Sequence, residues 1–196
     1  MTQLSHWGLG ALSAILLGVS ATWYASAREV PQDPGNRICS DNARYTIRRL
    51  GSDRMEDICA TYRGKVVLVV NTASRCAFTD QYRGLEKLYS DYRDRGLVVI
   101  GFPSNDFAGQ EPDGEQAINN FCRMTYGVQF PMYAKIRVIG DNAEPFYKAL
   151  ANAGNGQPRW NFHKYLIDRE GRVVENFSSY IDPQSGKMIR AIERIL

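Results

Sequence analysis

The feature that most constrains the fold is a pair of nearly uninterrupted apolar runs separated by one amphipathic segment. Residues 65–71 read KVVLVVN and residues 97–102 read LVVIGF, a pattern typical of strands that are buried on both faces of a sheet. Between them, aromatic residues and leucines recur at helical spacing from Tyr82 to Tyr92, and Gly96 ends the predicted helix. Because a helix connects the two strands, they are expected to be parallel, with a right-handed crossover.

Further elements are predicted on both sides of this unit. They are an N-terminal hairpin strand over 45–50, a helix over 114–126, a short helix over 144–151, two strands over 162–167 and 172–177, and a final helix over 187–195. Asp168 to Gly171 form a turn signal between the last two strands, which predicts an antiparallel hairpin. Parallel strands followed by a hairpin and a terminal helix predict an α/β protein with a thioredoxin-like fold, in which helices flank a central mixed β-sheet.

The N-terminal residues 1–27 contain no Lys, Arg, Asp or Glu. Their apolar stretch ends in small residues and is followed by a polar linker over 28–38, which is typical of a cleaved secretory signal peptide. The alternative is an uncleaved membrane anchor formed by residues 7–24. Both alternatives predict export, to the periplasm if the source is a bacterium. The remaining residues, 39–196, are expected to form one domain.

Charge and motif content argue against several classes of function. The formal net charge is only +3, and Lys and Arg are spread among Asp and Glu, so no basic surface for nucleic acid is predicted. His6 and His163 show no metal-ligand spacing with the cysteines, and no Gly-rich phosphate loop is present. We therefore expect neither a metal nor a cofactor. His163 is expected on the surface of a strand rather than as a catalytic base.

The four cysteines are the residues best suited to chemistry, and they allow three fully paired connectivities. Cys76 lies in the loop between the first buried strand and the following helix. Backbone N–H groups and the positive end of a helix favour a thiolate in such a loop. Cysteine is also often a small buried apolar residue, and its placement alone does not decide between these roles.

Three motifs extend the argument beyond Cys76. They are NTASRCAFT over 71–79, GFPSNDFAGQEP over 101–112 and WNF over 160–162. In this order and spacing they resemble the three signatures of the glutathione peroxidase family, and the resemblance covers the chain from about Tyr45 to its C-terminus. Ser104, Asp106 and Ala108 stand where the family more commonly has Cys, Gln and Gly.

This resemblance implies a peroxidase that reduces hydrogen peroxide and organic or lipid hydroperoxides. In the family a cysteine works with a glutamine, a tryptophan and an asparagine, and the matching catalytic positions are Cys76, Gln110, Trp160 and Asn161. Amide and indole N–H groups can donate hydrogen bonds to a thiolate or a peroxide oxygen, and they introduce no acid that would protonate the sulfur.

Cys122 lies in a segment, FCRMTYGV over 121–128, that resembles the one supplying the resolving cysteine in non-selenium members, which generally use thioredoxin rather than glutathione. The resemblance implies that Cys122 attacks a sulfenic acid on Cys76, and that a thioredoxin-like protein or glutathione reopens the disulfide. Its predicted position on the apolar side of a helix means that attack requires local unfolding. The alternative is a buried structural cysteine.

Cys39 and Cys59 lie outside the catalytic pattern. Because export brings free thiols into an oxidising compartment, we predict a structural disulfide between them.

Oligomeric state and physiological role are constrained less directly. Residues 136–160 have room for only one short helix and a loop, whereas tetrameric members of the family carry a longer insertion there. Its absence implies a monomer with an open site. A hydroperoxide sensor or oxidant relay, which passes a disulfide to a client protein, remains the alternative to a peroxidase. An inactive thioredoxin-like binding module fits less well because all four catalytic positions are filled.

Overall fold

The computed structural model describes Met1 and residues 34–196, so the predicted signal peptide or anchor lies outside the described residues. In chain order the elements are β1 (Thr46–Arg48), β2 (Met55–Asp57), α1 (Ile58–Thr61), β3 (Val66–Thr72), α2 (Gln81–Tyr92), β4 (Leu97–Pro103), α3 (Glu115–Tyr126), α4 (Pro145–Ala153), β5 (Lys164–Ile167), β6 (Val173–Phe177) and α5 (Gly186–Glu193), with single 3-10 turns at Pro34–Asn36 and Arg93–Arg95. Among the helices described, none combines the length and apolar character that a membrane crossing requires.

The predicted central mixed sheet is confirmed, with the strand order β4-β3-β5-β6. Strand β3 pairs in parallel with β4 and antiparallel with β5, and β5 pairs antiparallel with β6. All seven residues of β3 are buried, as its uninterrupted apolar run predicted. The predicted hairpins are also present: β1 pairs with β2, and β5 with β6.

Helices cover both faces of the sheet because successive residues of β3 point to opposite sides. Val66, Leu68 and Val70 pack into a core with residues of α2, α3 and α5, whereas Val67 and Val69 pack into a second core with residues of α4. Burial of each such side chain contributes about 1.5–3 kcal/mol. The central strand is therefore held on both faces, which makes it a rigid base for the loop that follows it.

Cys39 and Cys59 form a disulfide in the structure, with Cα atoms 5.3 Å apart. The bond lies at the end of the sheet where β3 begins and the β5–β6 turn lies. There the N–H of Ile38 donates to the carbonyl of Gly171 at 2.9 Å. Gly171 has φ of +80°, and a Cβ at this position would lie 2.6 Å from the Cβ of Cys39. Glycine is therefore required in this turn by both its backbone conformation and the close approach of Cys39.

Removal of this disulfide is expected to reduce stability without reducing activity. A double Cys39→Ser/Cys59→Ser variant should lose about 3 kcal/mol of unfolding free energy, because the bond closes a loop with a sequence separation of 20. Denaturant titration measures this loss. A reducing agent should lower the denaturant concentration at the unfolding midpoint of the wild-type protein but not that of the variant. If the two proteins have equal midpoints without reductant, the bond does not stabilise the fold.

Candidate active site

The loop between β3 and α2 holds Cys76 in a fixed turn. The N–H of Cys76 donates to Oγ1 of Thr79 at 3.0 Å, and the same hydroxyl donates to the carbonyl of Ala73 at 3.0 Å. The N–H of Phe78 points at Sγ of Cys76, at 3.4 Å. Cys76 is half-buried and its thiol is free. The sulfur is therefore accessible, and a backbone N–H is directed at it.

Gln110 reaches the same region from the loop after β4. Its carbonyl accepts the N–H of Arg75 at 3.1 Å, which joins the two loops beside Cys76. A turn made by Ala108 and Gly109, with φ of +52° and +63°, directs Gln110 inward. Alanine adopts this conformation at a cost of about 1–2 kcal/mol, so the backbone at position 108 is strained.

Ser104 and Asp106 hold this loop in place. Ser104 is fully buried, and its hydroxyl accepts the N–H of Asp106. The carboxylate of Asp106 accepts the N–H groups of Val138 and Ile139, at 2.6 and 3.3 Å. Both residues therefore serve the shape of the loop that carries Gln110.

Trp160 and Asn161 come from the segment that enters β5. Nδ2 of Asn161 donates to Oε1 of Gln110 at 2.8 Å, and the ring of Trp160 packs on Phe107 with centroids 5.7 Å apart. Trp160 is 37% exposed, whereas Asn161 is fully buried. Phe162, the next residue, has φ of +62°. A non-glycine residue in this strained conformation beside a candidate site is consistent with a functional constraint on the backbone.

The sheet topology explains why these side chains meet. Because β3 and β4 are parallel and β5 is antiparallel to them, the ends of β3 and β4 and the start of β5 lie at one edge of the sheet. The structure joins Gln110 directly to Asn161, and joins Cys76 to Gln110 through the backbone of Arg75. Within residues 34–196, Sγ of Cys76 makes no side-chain hydrogen bond to Gln110, Trp160 or Asn161. The amide Nε2 of Gln110 is likewise without a partner in this part of the chain.

Cys122 lies on α3 in the core, where it is 1% exposed. Burial raises the pKa of its thiol to about 11, and both Cys76 and Cys122 are free cysteines. The predicted apolar placement of Cys122 is confirmed. A protein reductant cannot reach a thiol in this position without a local opening of α3.

Glu111 is a further feature of the site, and its sequence context does not predict it. The side chain is fully buried, Oε2 accepts the hydroxyl of Ser74 at 3.1 Å, and Oε1 has no partner among the described residues. Burial raises the pKa of this carboxyl to about 7. An acidic residue between Gln110 and Pro112 in a Gly-rich loop reads as solvated, and only the folded structure shows that it is enclosed.

The prediction that His163 lies on a strand surface is wrong. It is only 7% exposed and packs on the ring of Tyr165, with centroids 4.9 Å apart. Burial and the nearby charges of Lys164 and Arg159 lower the pKa of its imidazole to about 4. The strand that follows is buried on both faces, so the residue next to it is enclosed as well.

Replacement of His163 should change how stability depends on pH. The unfolded chain binds a proton at this position below about pH 6.5 but the folded chain only below about pH 4, so stability is lost as pH falls through this window, by about 3 kcal/mol. Glu111 has the opposite effect on stability. Because its pKa is raised to about 7 in the folded chain, the folded chain binds more protons than the unfolded chain between pH 7 and 4.5, and stability rises as pH falls. The difference in unfolding free energy between wild type and His163→Gln therefore isolates the contribution of the histidine.

As pH falls from 7 to 4, the unfolding free energy of His163→Gln should rise relative to that of wild type by about 3 kcal/mol. Urea titrations at several pH values measure it, and a difference that stays constant with pH would show that His163 is not buried in its neutral form.

A cavity of about 850 Å³ lies beside Trp160. Its lining includes the aromatic side chains of Phe78, Trp160 and Tyr180, together with Arg159 and His163. Phe78 and Tyr180 meet edge to face with ring centroids 5.2 Å apart, and Tyr180 is 84% exposed. The rest of the lining is mostly polar and includes Asn155, Gln157, Asn176, Ser178 and Ser179. No cluster of three or more potential metal ligands occurs in the described part of the chain.

Comparison with known proteins adds independent findings to this geometry. The sequence model of the family described as glutathione peroxidase matches residues 45–151. The glutathione peroxidase-like peroxiredoxin gpx1 of Schizosaccharomyces pombe is 51% identical, over 62% of this chain and 80% of that protein. The hydroperoxy fatty acid reductase gpx1 of Synechocystis is 45% identical, over 69% of this chain and 85% of that protein.

Solved structures show the same similarity. The crystal structure of Trgpx in its apo form is 38% identical, with a TM-score of 0.60 over 76% of this chain and 93% of that one. A thiol:disulfide interchange protein of the thioredoxin family from Chlorobium tepidum is 16% identical, with a TM-score of 0.58 over 78% of this chain and 92% of that one, and this likeness shows the fold alone. The predicted thioredoxin-like fold is confirmed.

Proposed function

The chain belongs to the glutathione peroxidase family, and we propose that Cys76 is the thiol with which this peroxidase reduces hydroperoxides. The observation that carries the proposal is the convergence at one sheet edge of an accessible Cys76, the hydrogen-bonded pair Gln110 and Asn161, and the half-exposed Trp160. No other described cysteine is both free and accessible.

In the first half-reaction the Cys76 thiolate attacks the terminal oxygen of the hydroperoxide. A sulfur–oxygen bond forms and the O–O bond breaks, which leaves a sulfenic acid on Cys76 and releases an alcohol, or water from hydrogen peroxide, once the departing oxygen has taken up a proton. Nε2 of Gln110 and the indole N–H of Trp160 can donate hydrogen bonds that stabilise the negative charge as it moves from sulfur to the departing oxygen. Asn161 positions Gln110 by binding its Oε1, so that Nε2 stays free.

In the second half-reaction Cys122 is the resolving thiol. It attacks the sulfenic sulfur of Cys76, forms the disulfide and releases water. Because Cys122 lies on α3 and is buried in the protein core, part of this helix has to unwind first. A dithiol protein of the thioredoxin type then reduces the disulfide by exchange. The S. pombe relative is named as a glutathione peroxidase-like peroxiredoxin, which supports a cycle based on thiols.

The substrates proposed for this site include fatty-acid and other organic hydroperoxides as well as hydrogen peroxide. The cavity beside Trp160 offers aromatic side chains for an acyl chain and Arg159 for a carboxylate. The Synechocystis relative is described as a hydroperoxy fatty acid reductase, which supports the same substrate class for this chain.

The protein is also proposed to be exported and to be a monomer. The Cys39–Cys59 disulfide supports a location outside the cytosol, since such bonds persist mainly in oxidising compartments. N-terminal sequencing of protein from its native host distinguishes cleavage after residue 27 from a retained anchor, and light scattering reports the oligomeric state.

Steady-state kinetics test the donor. With a fatty-acid hydroperoxide, we expect turnover driven by a thioredoxin system to exceed turnover driven by an equal concentration of glutathione thiols by at least about 10-fold, because the dithiol opens the protein disulfide by an intramolecular second step. Equal rates would overturn the donor assignment. Slow turnover with both donors, together with mixed disulfides to a client protein trapped in cells, would favour the oxidant relay instead.

A further inference from the structure

A buried carboxyl group connects the surroundings of the two redox cysteines. Glu111 accepts the hydroxyl of Ser74, two residues before Cys76, and Cys76 itself packs against the core that contains Cys122. Burial, and to a lesser degree the charge of Glu111, raises the pKa of the Cys122 thiol. The carboxyl is fully buried, and Oε1 has no hydrogen-bond partner among residues 34–196. A buried carboxyl oxygen without a partner destabilises the fold, so its presence calls for a role other than stability.

The backbone of Glu111 is fixed independently of the helix that has to open. Its N–H donates to Oδ1 of Asn105 at 2.9 Å, and Nζ of Lys135 donates to its carbonyl at 3.4 Å. Helix α3 begins only at Glu115. The carboxyl can therefore remain beside the Cys76 loop while α3 unwinds and brings Cys122 to the sulfenic acid.

The resolving step needs a proton transfer between these groups. The S–S bond forms as the S–O bond of the sulfenic acid breaks, so Cys122 is oxidised, Cys76 is reduced from sulfenic acid to disulfide, and the leaving hydroxide takes up a proton. The only proton that the reaction releases is the one on the Cys122 thiol. That thiol is protonated at neutral pH in the core, where burial raises its pKa to about 11, and it stays mostly protonated once α3 unwinds, because an exposed thiol has a pKa of about 8.5. A group that accepts this proton and gives it to hydroxide would accelerate the step.

We propose that Glu111 is the proton relay of the resolving step, taking the proton from the Cys122 thiol and delivering it to the hydroxide that leaves Cys76. This inference rests on the proposed resolving role of Cys122. A carboxyl with a pKa raised to about 7 holds both protonation states near neutral pH, as a relay requires. The charged and titratable groups around it are Lys135, Asp113, Cys122 and Tyr82.

Single-turnover kinetics test the relay. Reduced protein is mixed with one equivalent of hydrogen peroxide at pH 5.5 to 9, and sulfenic acid formation and Cys76–Cys122 disulfide formation are followed separately. In wild type the rate of disulfide formation should rise through an inflection near pH 7. Glu111→Gln should leave sulfenic acid formation unchanged, slow disulfide formation by about 100-fold at pH 7 and abolish the inflection.

Two further variants separate the relay from a structural role. Asp113→Asn removes a carboxylate two residues away that raises the pKa of Glu111, so it should keep the inflection and move it to lower pH. Ser74→Ala removes a hydrogen bond that lowers the same pKa, so it should move the inflection to higher pH. These shifts test the relay even if Glu111→Gln folds poorly.

An unchanged rate and pH profile in Glu111→Gln, or an inflection that neither neighbouring variant moves, would overturn the relay. Failure of the wild type to form any Cys76–Cys122 disulfide would instead overturn the proposed resolving role, so the two failures are distinguishable.

Discussion

Replacing Cys76 with serine is expected to reduce peroxide consumption to the uncatalysed background with every reductant. A serine hydroxyl has no accessible anion near neutral pH and attacks peroxide oxygen poorly, so the first bond to oxygen cannot form. Enzymes commonly accelerate their reactions by 10⁶-fold or more, and we expect kcat/KM of Cys76→Ser to fall by at least about 10⁴-fold. Rapid mixing with peroxide should show no burst, and a sulfenic-acid probe should label nothing.

The matched control is Cys39→Ser/Cys59→Ser, which removes two cysteines at the opposite end of the sheet from Cys76. This variant should keep the burst and the full rate, because neither residue contacts the catalytic loop. Serine at position 76 also preserves the backbone bond to Thr79, so the unfolding midpoint should not change. A burst that persists in Cys76→Ser would place the reactive thiol elsewhere, and Cys122 would be the only free cysteine left among the described residues.

The fold could be predicted from sequence to a large extent because its central elements carry strong local signals. The β-branched run inside 65–71 has no polar face, which favours a strand covered on both sides. Gly96 can end a helix because it adopts φ of +105°. The turn at Asp168 to Gly171 fixes the β5–β6 pairing in the same way. Each of these features is decided by residues that are close in sequence.

Burial of single polar groups could not be predicted, because it depends on contacts that are distant in sequence. Glu111 is enclosed by Ser74 and by residues of the core. Lys164 is fully buried on β5, where its ammonium donates to Gln81 and to the carbonyl of Ile181. The residues next to a lysine in a strand or a glutamate in a loop do not indicate such distant partners. The prediction for His163 was wrong for the same reason.

The motifs predict which positions are catalytic, whereas the arrangement of these side chains in space required the structure. The motifs are separated by tens of residues, and only the strand order β4-β3-β5 places their loops at one edge. The Gln110–Asn161 hydrogen bond spans 51 residues. It shows that Asn161 contacts the side chain of Gln110, which no spacing in the sequence specifies.

Replacing Cys122 should separate the two halves of the catalytic cycle. The first step depends on Cys76 and its loop, so one equivalent of peroxide should still be consumed in the burst, and a sulfenic acid should accumulate. Thioredoxin-coupled turnover should fall by at least about 100-fold, because the disulfide that a dithiol protein reduces cannot form. A small thiol at high concentration should restore part of the rate by reducing the sulfenic acid directly.

The choice of substitution matters because position 122 is only 1% exposed. Serine would bury a hydroxyl in an apolar core, whereas alanine leaves a small cavity, so the two variants disturb the fold through different mechanisms. A loss of coupled turnover that is equal in Cys122→Ser and Cys122→Ala, with the burst intact in both, identifies the missing thiol as the cause. Full thioredoxin-coupled turnover in either variant would mean that Cys76 works without a resolving cysteine, and that Cys122 is a structural residue of the core.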